Sequence, residues 1–109
     1  MEGAARLCYV FSMERDEAVR LLRAHAADLK RLGIEHLYLF GSTARGEARD
    51  HSHVDLFFDH EKGRVGLFEV MDVMARAAEI LGRPADVRTR RSLHPRLRKR
   101  IEDSAVLVF

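Results

Sequence analysis

The stretch from Gly41 to Leu56 reads GSTARGEARDHSHVDL and is the most informative part of this 109-residue chain. It follows the run Ile34 to Phe40, which is rich in Leu, Tyr and Phe; such a run ending in Gly-Ser predicts a strand that enters a tight turn. Residues 43–48 are expected to form a short helix, and Val54 to Phe58 predicts a second, apolar strand. The stretch therefore places a strand, a turn, a short helix and a strand in direct succession.

Three other segments carry apolar residues at helical spacing. The first predicts one long amphipathic helix that begins after Ser12, a suitable N-cap, and ends at Gly33. The second ends at Gly82, and its apolar stripe is expected to pack in the core and contains Phe68, Met71 and Met74. The third is expected to be capped by Ser92, and its core-facing side contains Leu93, Leu97 and Ile101.

Two short runs, Ala85 to Thr89 and Ala105 to Phe109, predict a third and a fourth strand. The order helix, strand, strand, helix, strand, helix, strand favours an α+β fold with helices packed on a mixed sheet of about four strands. The length, the 47% hydrophobic content and the lack of a linker-like tract predict a single domain over residues 1–109.

Composition narrows the class of protein. No apolar run approaches the roughly 20 residues that span a bilayer, and Arg6 interrupts the apolar N-terminal stretch, so a cytoplasmic protein without membrane contact is expected. The net charge of +2 conceals eight basic residues and one acidic residue between Arg83 and Arg100. That segment indicates a surface for an acidic group, although a basic outer face is also ordinary for an amphipathic helix. Nucleic acid is disfavoured because no recognised binding motif is present.

Several residues have the chemistry of a phosphate and metal site. Gly41 and Ser42 offer free backbone N–H groups and a hydroxyl, which suit a phosphate oxygen. His53 and Asp55 are two residues apart and so share one face of the second strand. Asp86, in the third strand, is a carboxylate that could complete a site. The arginines that follow it, Arg88, Arg90 and Arg91, are candidates to reach a triphosphate or an acidic partner.

The run Gly41-Ser42-Thr43-Ala44-Arg45-Gly46, followed by Ser52-His53-Val54-Asp55-Leu56, resembles the signature of the minimal nucleotidyltransferases of the DNA polymerase β-type superfamily. The order of the flanking helices and strands agrees as well. The resemblance implies nucleotide contacts from Gly41, Ser42 and Arg45. It also implies that Asp55 and Asp86 are catalytic, metal-binding carboxylates that use Mg²⁺, or alternatively Mn²⁺.

The resemblance further implies transfer of a nucleoside monophosphate from a nucleoside triphosphate, with ATP as the expected substrate, to an acceptor hydroxyl. Asp86 is the candidate to accept the proton of that hydroxyl. Many members of the superfamily are antitoxins paired with a small helical toxin, and some add AMP to it. A small helical protein, or a second copy of this chain, is therefore the expected partner.

His53 departs from the pattern, because it stands where the family has its first metal-binding carboxylate. Imidazole is a poor ligand for Mg²⁺ and suits zinc or manganese better, so a site of His53, Asp55 and Asp86 for those metals stays open. The spacing His51-x-His53-x-Asp55 also resembles the opening of the metallo-β-lactamase zinc motif, but Leu56 stands where that motif has its last histidine. Two functions remain: an active nucleotidyltransferase, or a catalytically weakened antitoxin that neutralises a partner by binding.

Overall fold

The computed structural model describes residues 15–44, 53–61, 63 and 65–109, apart from the Ser42 side chain. Their helices and strands follow one another as α1 (Arg15–Ala24), α2 (Ala26–Arg31), β1 (His36–Phe40), α3 (Gly41–Ala44), β2 (Val54–Asp59), α4 (Leu67–Leu81), β3 (Ala85–Thr89), a 3₁₀ turn (Arg90–Ser92), α5 (Pro95–Ser104) and β4 (Val106–Leu107). The predicted cap Ser12 and residues 45–48 of the predicted short helix lie outside the described residues.

The strands form a four-stranded sheet in the order β3-β2-β1-β4. Strand β1 pairs antiparallel with both β2 and β4, whereas β2 and β3 run parallel. Parallel pairing requires a crossover connection, and α4 supplies it. The mixed sheet with packed helices confirms the predicted α+β class.

One face of the sheet carries the hydrophobic core. Alternate residues of β2 are fully buried there, namely Val54, Leu56 and Phe58. Helices α1 and α4 cover this face with Leu22, Val73 and Ala77. The other face of β2 presents Asp55, Phe57 and Asp59, and the Phe57 ring stacks on Tyr38 with the ring centroids 4.8 Å apart. The two faces therefore have different roles, because both carboxylates of β2 lie opposite the core.

The prediction of one long N-terminal helix is wrong, because the helix is interrupted at His25. The Nδ1 atom of the His25 ring lies 3.0 Å from the carbonyl oxygen of Leu21. In a regular helix that carbonyl would accept the backbone N–H of His25. That N–H bonds instead to the carbonyl of Leu22 at 3.1 Å. The imidazole of His25 thus takes the carbonyl that its backbone N–H would use in a continuous helix, and α1 ends at Ala24.

The start of the last helix also differs from the prediction. Ser92 closes the 3₁₀ turn through Thr89, and α5 begins at Pro95 with His94 as its N-cap. Proline is favoured at the first helical position because its missing N–H would have no partner there. The predicted core face is correct only for Leu93, which is 2% exposed; Leu97 is 46% exposed and Ile101 is half-buried.

The second long helix agrees closely with its prediction. Helix α4 ends at Leu81, and Gly82 follows in the left-handed conformation at φ +69°. The N–H of Gly82 donates to the carbonyl of Ala78 at 2.8 Å, which satisfies one of the last carbonyls of the helix. Across the described ranges, no helix has the combination of length and apolarity needed to cross a membrane.

Candidate functional site

Two carboxylates meet at one end of the sheet. Asp55 and Asp86 are each the second residue of their strand, and their Cα atoms are direct partners in the parallel β2–β3 register. Neighbouring strands lie about 4.8 Å apart, and partners in register project from the same face. The structure therefore brings together the two acids that the sequence predicts as catalytic and metal-binding.

The turn that carries Gly41 lies against Asp55. Phe40, the last residue of β1, is the register partner of Asp55, and α3 begins at the next residue. Gly41 has φ +76°, and a Cβ atom added to it would lie 2.3 Å from Oδ2 of Asp55. Real Cβ contacts are never this short, so glycine is what allows the carboxylate to sit against the turn. Thr43, 1% exposed, anchors α3 in the protein.

Two predicted nucleotide contacts are not described. The Ser42 side chain and the whole of Arg45 lie outside the described residues, so their roles stay predictions. The backbone of Ser42 belongs to α3 and follows Gly41 directly. The predicted phosphate-binding turn is thus next to the carboxylate pair.

His53 lies immediately before β2 and is exposed. It lines a different part of the surface from Asp55, although both surfaces include Asp86. Over the described ranges, no three or more His, Cys, Asp or Glu side chains are placed together to hold a metal ion. The zinc or manganese site of His53, Asp55 and Asp86 is consequently not preassembled.

Two clefts adjoin Asp86. The α5 cleft, about 300 Å³, contains both carboxylates and is lined by Phe40, Asp55, Asp86, Arg88, Leu93, His94, Leu97 and Ile101. The α4 cleft, about 590 Å³, is mainly apolar and is lined by His53, Met71, Met74, Ala75, Ala78, Pro84, Ala85 and Asp86. Asp86 therefore borders both clefts.

The exposed apolar surface beside the α4 cleft corrects another prediction. Phe68 and Met71 were expected in the core but are 78% and 55% exposed, and Leu67 is 73% exposed. Met74 is half-buried and packs against the core. The fully buried residues of α4 are Val73, Ala77 and Leu81, whereas its exposed large apolar residues lie in the first turns of the helix. An apolar patch at the edge of a cleft is typical of a binding surface.

Arg90, a predicted phosphate or partner contact, is held by the protein itself. Its guanidinium donates to both carboxylate oxygens of Asp59, at 2.7 and 3.0 Å, and also to Glu102. The same group lies 4.9 Å from the Tyr38 ring centroid and 5.0 Å from that of Phe57. The hydrogen bonds with Asp59 are the main reason that the pKa of Arg90 is raised above its ordinary value. These contacts tie β1, β2 and α5 together and give Arg90 a structural role, while its contact with a phosphate or a partner stays a prediction.

We expect Arg90→Ala to lower the free energy of unfolding by about 2 kcal/mol, because it leaves two partly buried carboxylates without their cation. Arg90→Lys should recover less than half of the loss, since an ammonium cannot form the paired bonds that Asp59 receives. Urea unfolding at neutral pH measures both. A loss within about 0.5 kcal/mol for Arg90→Ala would be typical of an ordinary surface residue and would contradict this role.

The comparison with known families agrees with this geometry. The family described as Nucleotidyltransferase domain matches residues 22–108, a range that includes Gly41, Asp55 and Asp86. This chain belongs to the nucleotidyltransferase family. A protein of Methanocaldococcus jannaschii, provisionally named protein adenylyltransferase MJ0435, is 34% identical over 77 residues, which cover 71% of this chain and 82% of that protein.

Solved structures also resemble this chain. One, provisionally described as a minimal nucleotidyltransferase, is 35% identical with a TM-score of 0.73 and covers 86% of this chain and 95% of its own. A chain from the complex of an MNT antitoxin with a tri-AMPylated HEPN toxin of Shewanella oneidensis has a TM-score of 0.61. It covers 84% of this chain and 71% of its own, and its identity of 15% shows a shared fold alone.

The sequence reasoning missed one residue of the site. His94 is the N-cap of α5 and also lines the α5 cleft. Pro95 was a usable signal, because proline at the first helical position makes the residue before it the N-cap. The cleft contact depends on how α5 packs across the sheet, which periodicity does not predict.

Proposed function

We propose that this chain binds a nucleoside triphosphate with a divalent cation and transfers the nucleoside monophosphate to a hydroxyl group of a protein. The observation that carries the proposal is the in-register pair Asp55 and Asp86 beside the Gly41 turn, in a chain of the nucleotidyltransferase family. ATP is the proposed substrate, which the names of the adenylyltransferase relatives support.

The donor set fits one Mg²⁺ ion, with Mn²⁺ as an alternative. Mg²⁺ is commonly held by one or two carboxylates together with water and substrate phosphates, and Asp55 and Asp86 provide two carboxylates on one face. A bound cation would neutralise charge on the phosphates of the nucleotide. His53 is exposed and offers an imidazole, so we assign it at most an outer and weaker role in holding the cation.

In the proposed reaction the acceptor oxygen forms a bond to the α-phosphorus of ATP. The bond between that phosphorus and the oxygen leading to the β-phosphate breaks, and pyrophosphate leaves with the electron pair. Asp86 takes the proton of the acceptor hydroxyl. Its position at the junction of both clefts supports this role, because a nucleotide in one cleft and an acceptor in the other would meet there.

Gly41, Ser42 and Arg45 are proposed to contact the phosphates. The backbone at Gly41 approaches the Asp55 carboxylate closely, which places the turn next to the proposed cation. Backbone N–H groups in such turns bind phosphate oxygens well. This part of the chain therefore would hold the triphosphate while the carboxylates act on its α-phosphate.

The proposed acceptor and partner is a small helical protein. The exposed patch of Leu67, Phe68 and Met71 borders the α4 cleft and supports docking of an apolar protein surface, with a second copy of this chain as the alternative. The toxin–antitoxin complex that shares this fold supports an antitoxin role for this chain. Action on ATP and on such a partner would take place in the cytoplasm.

A second function, an antitoxin that binds its partner without catalysis, is favoured by one observation. His53 replaces the family's first carboxylate, and no described cluster of three ligands compensates for it. Such a chain could still bind nucleotide through the Asp55 and Asp86 pair.

Replacing His53 by aspartate separates these functions. We expect His53→Asp to raise nucleotide transfer at least about tenfold, because a third carboxylate strengthens cation binding; outer ligands typically change affinity or activity 10–100-fold. The measurement is incorporation of label from ATP marked at the α-phosphate into protein, in a lysate of the expressing cells. His53→Asn, which adds no charge, is the matched control and should not raise it. Failure of the native chain and of both variants to transfer label, with ATP still bound, would reject catalysis in favour of the binding function.

A further inference from the structure

His94 stands in the α5 cleft beside the two carboxylates, yet the proposed mechanism gives it no role. It is the N-cap of α5, where its Nδ1 atom lies 3.2 Å from the backbone nitrogen of Arg96. A backbone N–H can only donate, so Nδ1 must accept and carries no proton. The neutral ring therefore has its proton on Nε2. The helix cap thus fixes His94 as a ring with one defined N–H donor.

That donor is notable because two nearby arginines are already paired with carboxylates of the protein. Arg88 pairs with Asp86 at 3.4 Å, and Arg90 is held by Asp59 and Glu102. Arg98 donates through Nη2 to the backbone carbonyl of Arg91 at 2.9 Å, while its buried Nε has no hydrogen-bond partner within the described ranges. Within the described ranges, the ring N–H of His94 makes no such bond. The α5 cleft, which contains both carboxylates, is therefore lined by an exposed histidine whose ring N–H has no protein partner in the described ranges.

We propose that Nε2–H of His94 donates a hydrogen bond to a phosphate oxygen of the nucleoside triphosphate bound in the α5 cleft. The inference rests on the proposed function and adds a binding residue to it. A phosphate beside Asp55 and Asp86 needs donors as well as a cation, and hydrogen bonds to ionised oxygens are stronger than those between neutral groups. The apolar part of the cleft wall includes Leu97, which is 46% exposed, and Ile101, which is half-buried.

The two nitrogens of His94 have separable roles, and two substitutions test them independently. His94→Asn keeps an oxygen near the position of Nδ1, so the cap on Arg96 survives while the distant donor is lost; asparagine is also a preferred N-cap. His94→Gln extends an amide N–H to about the reach of Nε2 but is a poorer cap. We therefore expect His94→Asn to lose nucleotide affinity and His94→Gln to lose helix stability.

The experiment measures displacement of a fluorescent ATP analogue by ATP and by inorganic tripolyphosphate, with Mg²⁺ present, alongside thermal unfolding of each variant. We expect His94→Asn to weaken ATP and tripolyphosphate about tenfold while Tm stays near that of the native chain, since a hydrogen bond to a charged group is typically of this size. His94→Gln should keep most of the affinity but unfold at a lower temperature.

Native affinity in His94→Asn would overturn the inference, as would affinity losses in both variants that simply follow their Tm values. If the native chain binds ATP and transfers nucleotide but His94→Asn is unaffected, the inference fails and the proposed function stands. If the native chain binds neither ATP nor tripolyphosphate, the inference and the proposed function are both contradicted.

Discussion

Replacing Asp55 with asparagine is expected to reduce nucleotide transfer by about a thousandfold or more. Loss of a group that stabilises charge in the transition state typically lowers the rate on this scale. Asparagine has almost the same size but no charge, so the site loses half of its carboxylate pair. We expect the fold to persist, because relief of repulsion between Asp55 and Asp86 offsets the loss of local contacts. Asp86→Asn should be as damaging, since Asp86 is also the proposed proton acceptor.

The measurement for this prediction is transfer of α-labelled ATP to protein, with unfolding followed for each variant. Asp103→Asn, at an exposed position of α5 outside both clefts, is the matched control and should transfer label at the native rate. Asp55→Asn with more than about one tenth of native activity would remove this residue from the catalytic group, because such small losses are typical of supporting residues.

Gly41→Ala is expected to damage both stability and transfer. Its Cβ atom would lie 2.3 Å from Oδ2 of Asp55, and alanine at φ +76° is strained. The backbone strain alone costs about 1–2 kcal/mol, and displacement of the carboxylate should reduce transfer by about a hundredfold, since catalytic groups misplaced by about 1 Å lose activity on this scale.

Gly82→Ala provides a control with the same backbone strain and no contact. Gly82 has φ +69°, and a Cβ atom added there meets nothing within 4 Å. It should lose about 1 kcal/mol of stability and keep its activity. Urea unfolding and the transfer measurement on both variants test the difference. Equal losses of stability with unchanged transfer in both would show that Gly41 has no special relation to Asp55.

The elements that periodicity predicted best are those whose signals are local. Helix α4 ends before Gly82 and β3 spans Ala85–Thr89, both as predicted, because a left-handed glycine and a short run that alternates apolar and charged residues need no distant contact to be recognised. The interruption at His25 was not predictable in this way, since it arises from a ring nitrogen that takes the carbonyl of Leu21. The outward faces of Phe68, Met71 and Leu97 depend on which helices cover which part of the sheet.

The residues of the candidate site also differ in how far the local sequence could predict their places. Asp55 and Asp86 were singled out from strand position and family resemblance, and the parallel register of β2 and β3 then places them together. The ion pairs of Arg90 with Asp59 and Glu102 join three separate segments of the chain, and no local sequence pattern predicts them. The place of His94 in the cleft follows from tertiary packing.

Asp55 and Asp86 are proposed to form a site for ATP together with a divalent cation. Calorimetric titration of the native chain with ATP, first with Mg²⁺ and then with a chelator in its place, tests this most directly. We expect binding that requires Mg²⁺ and that is lost in Asp86→Asn, while Asp103→Asn binds like the native chain. Binding that is equally tight without a cation or in Asp86→Asn, or no binding to the native chain at all, would contradict the claim.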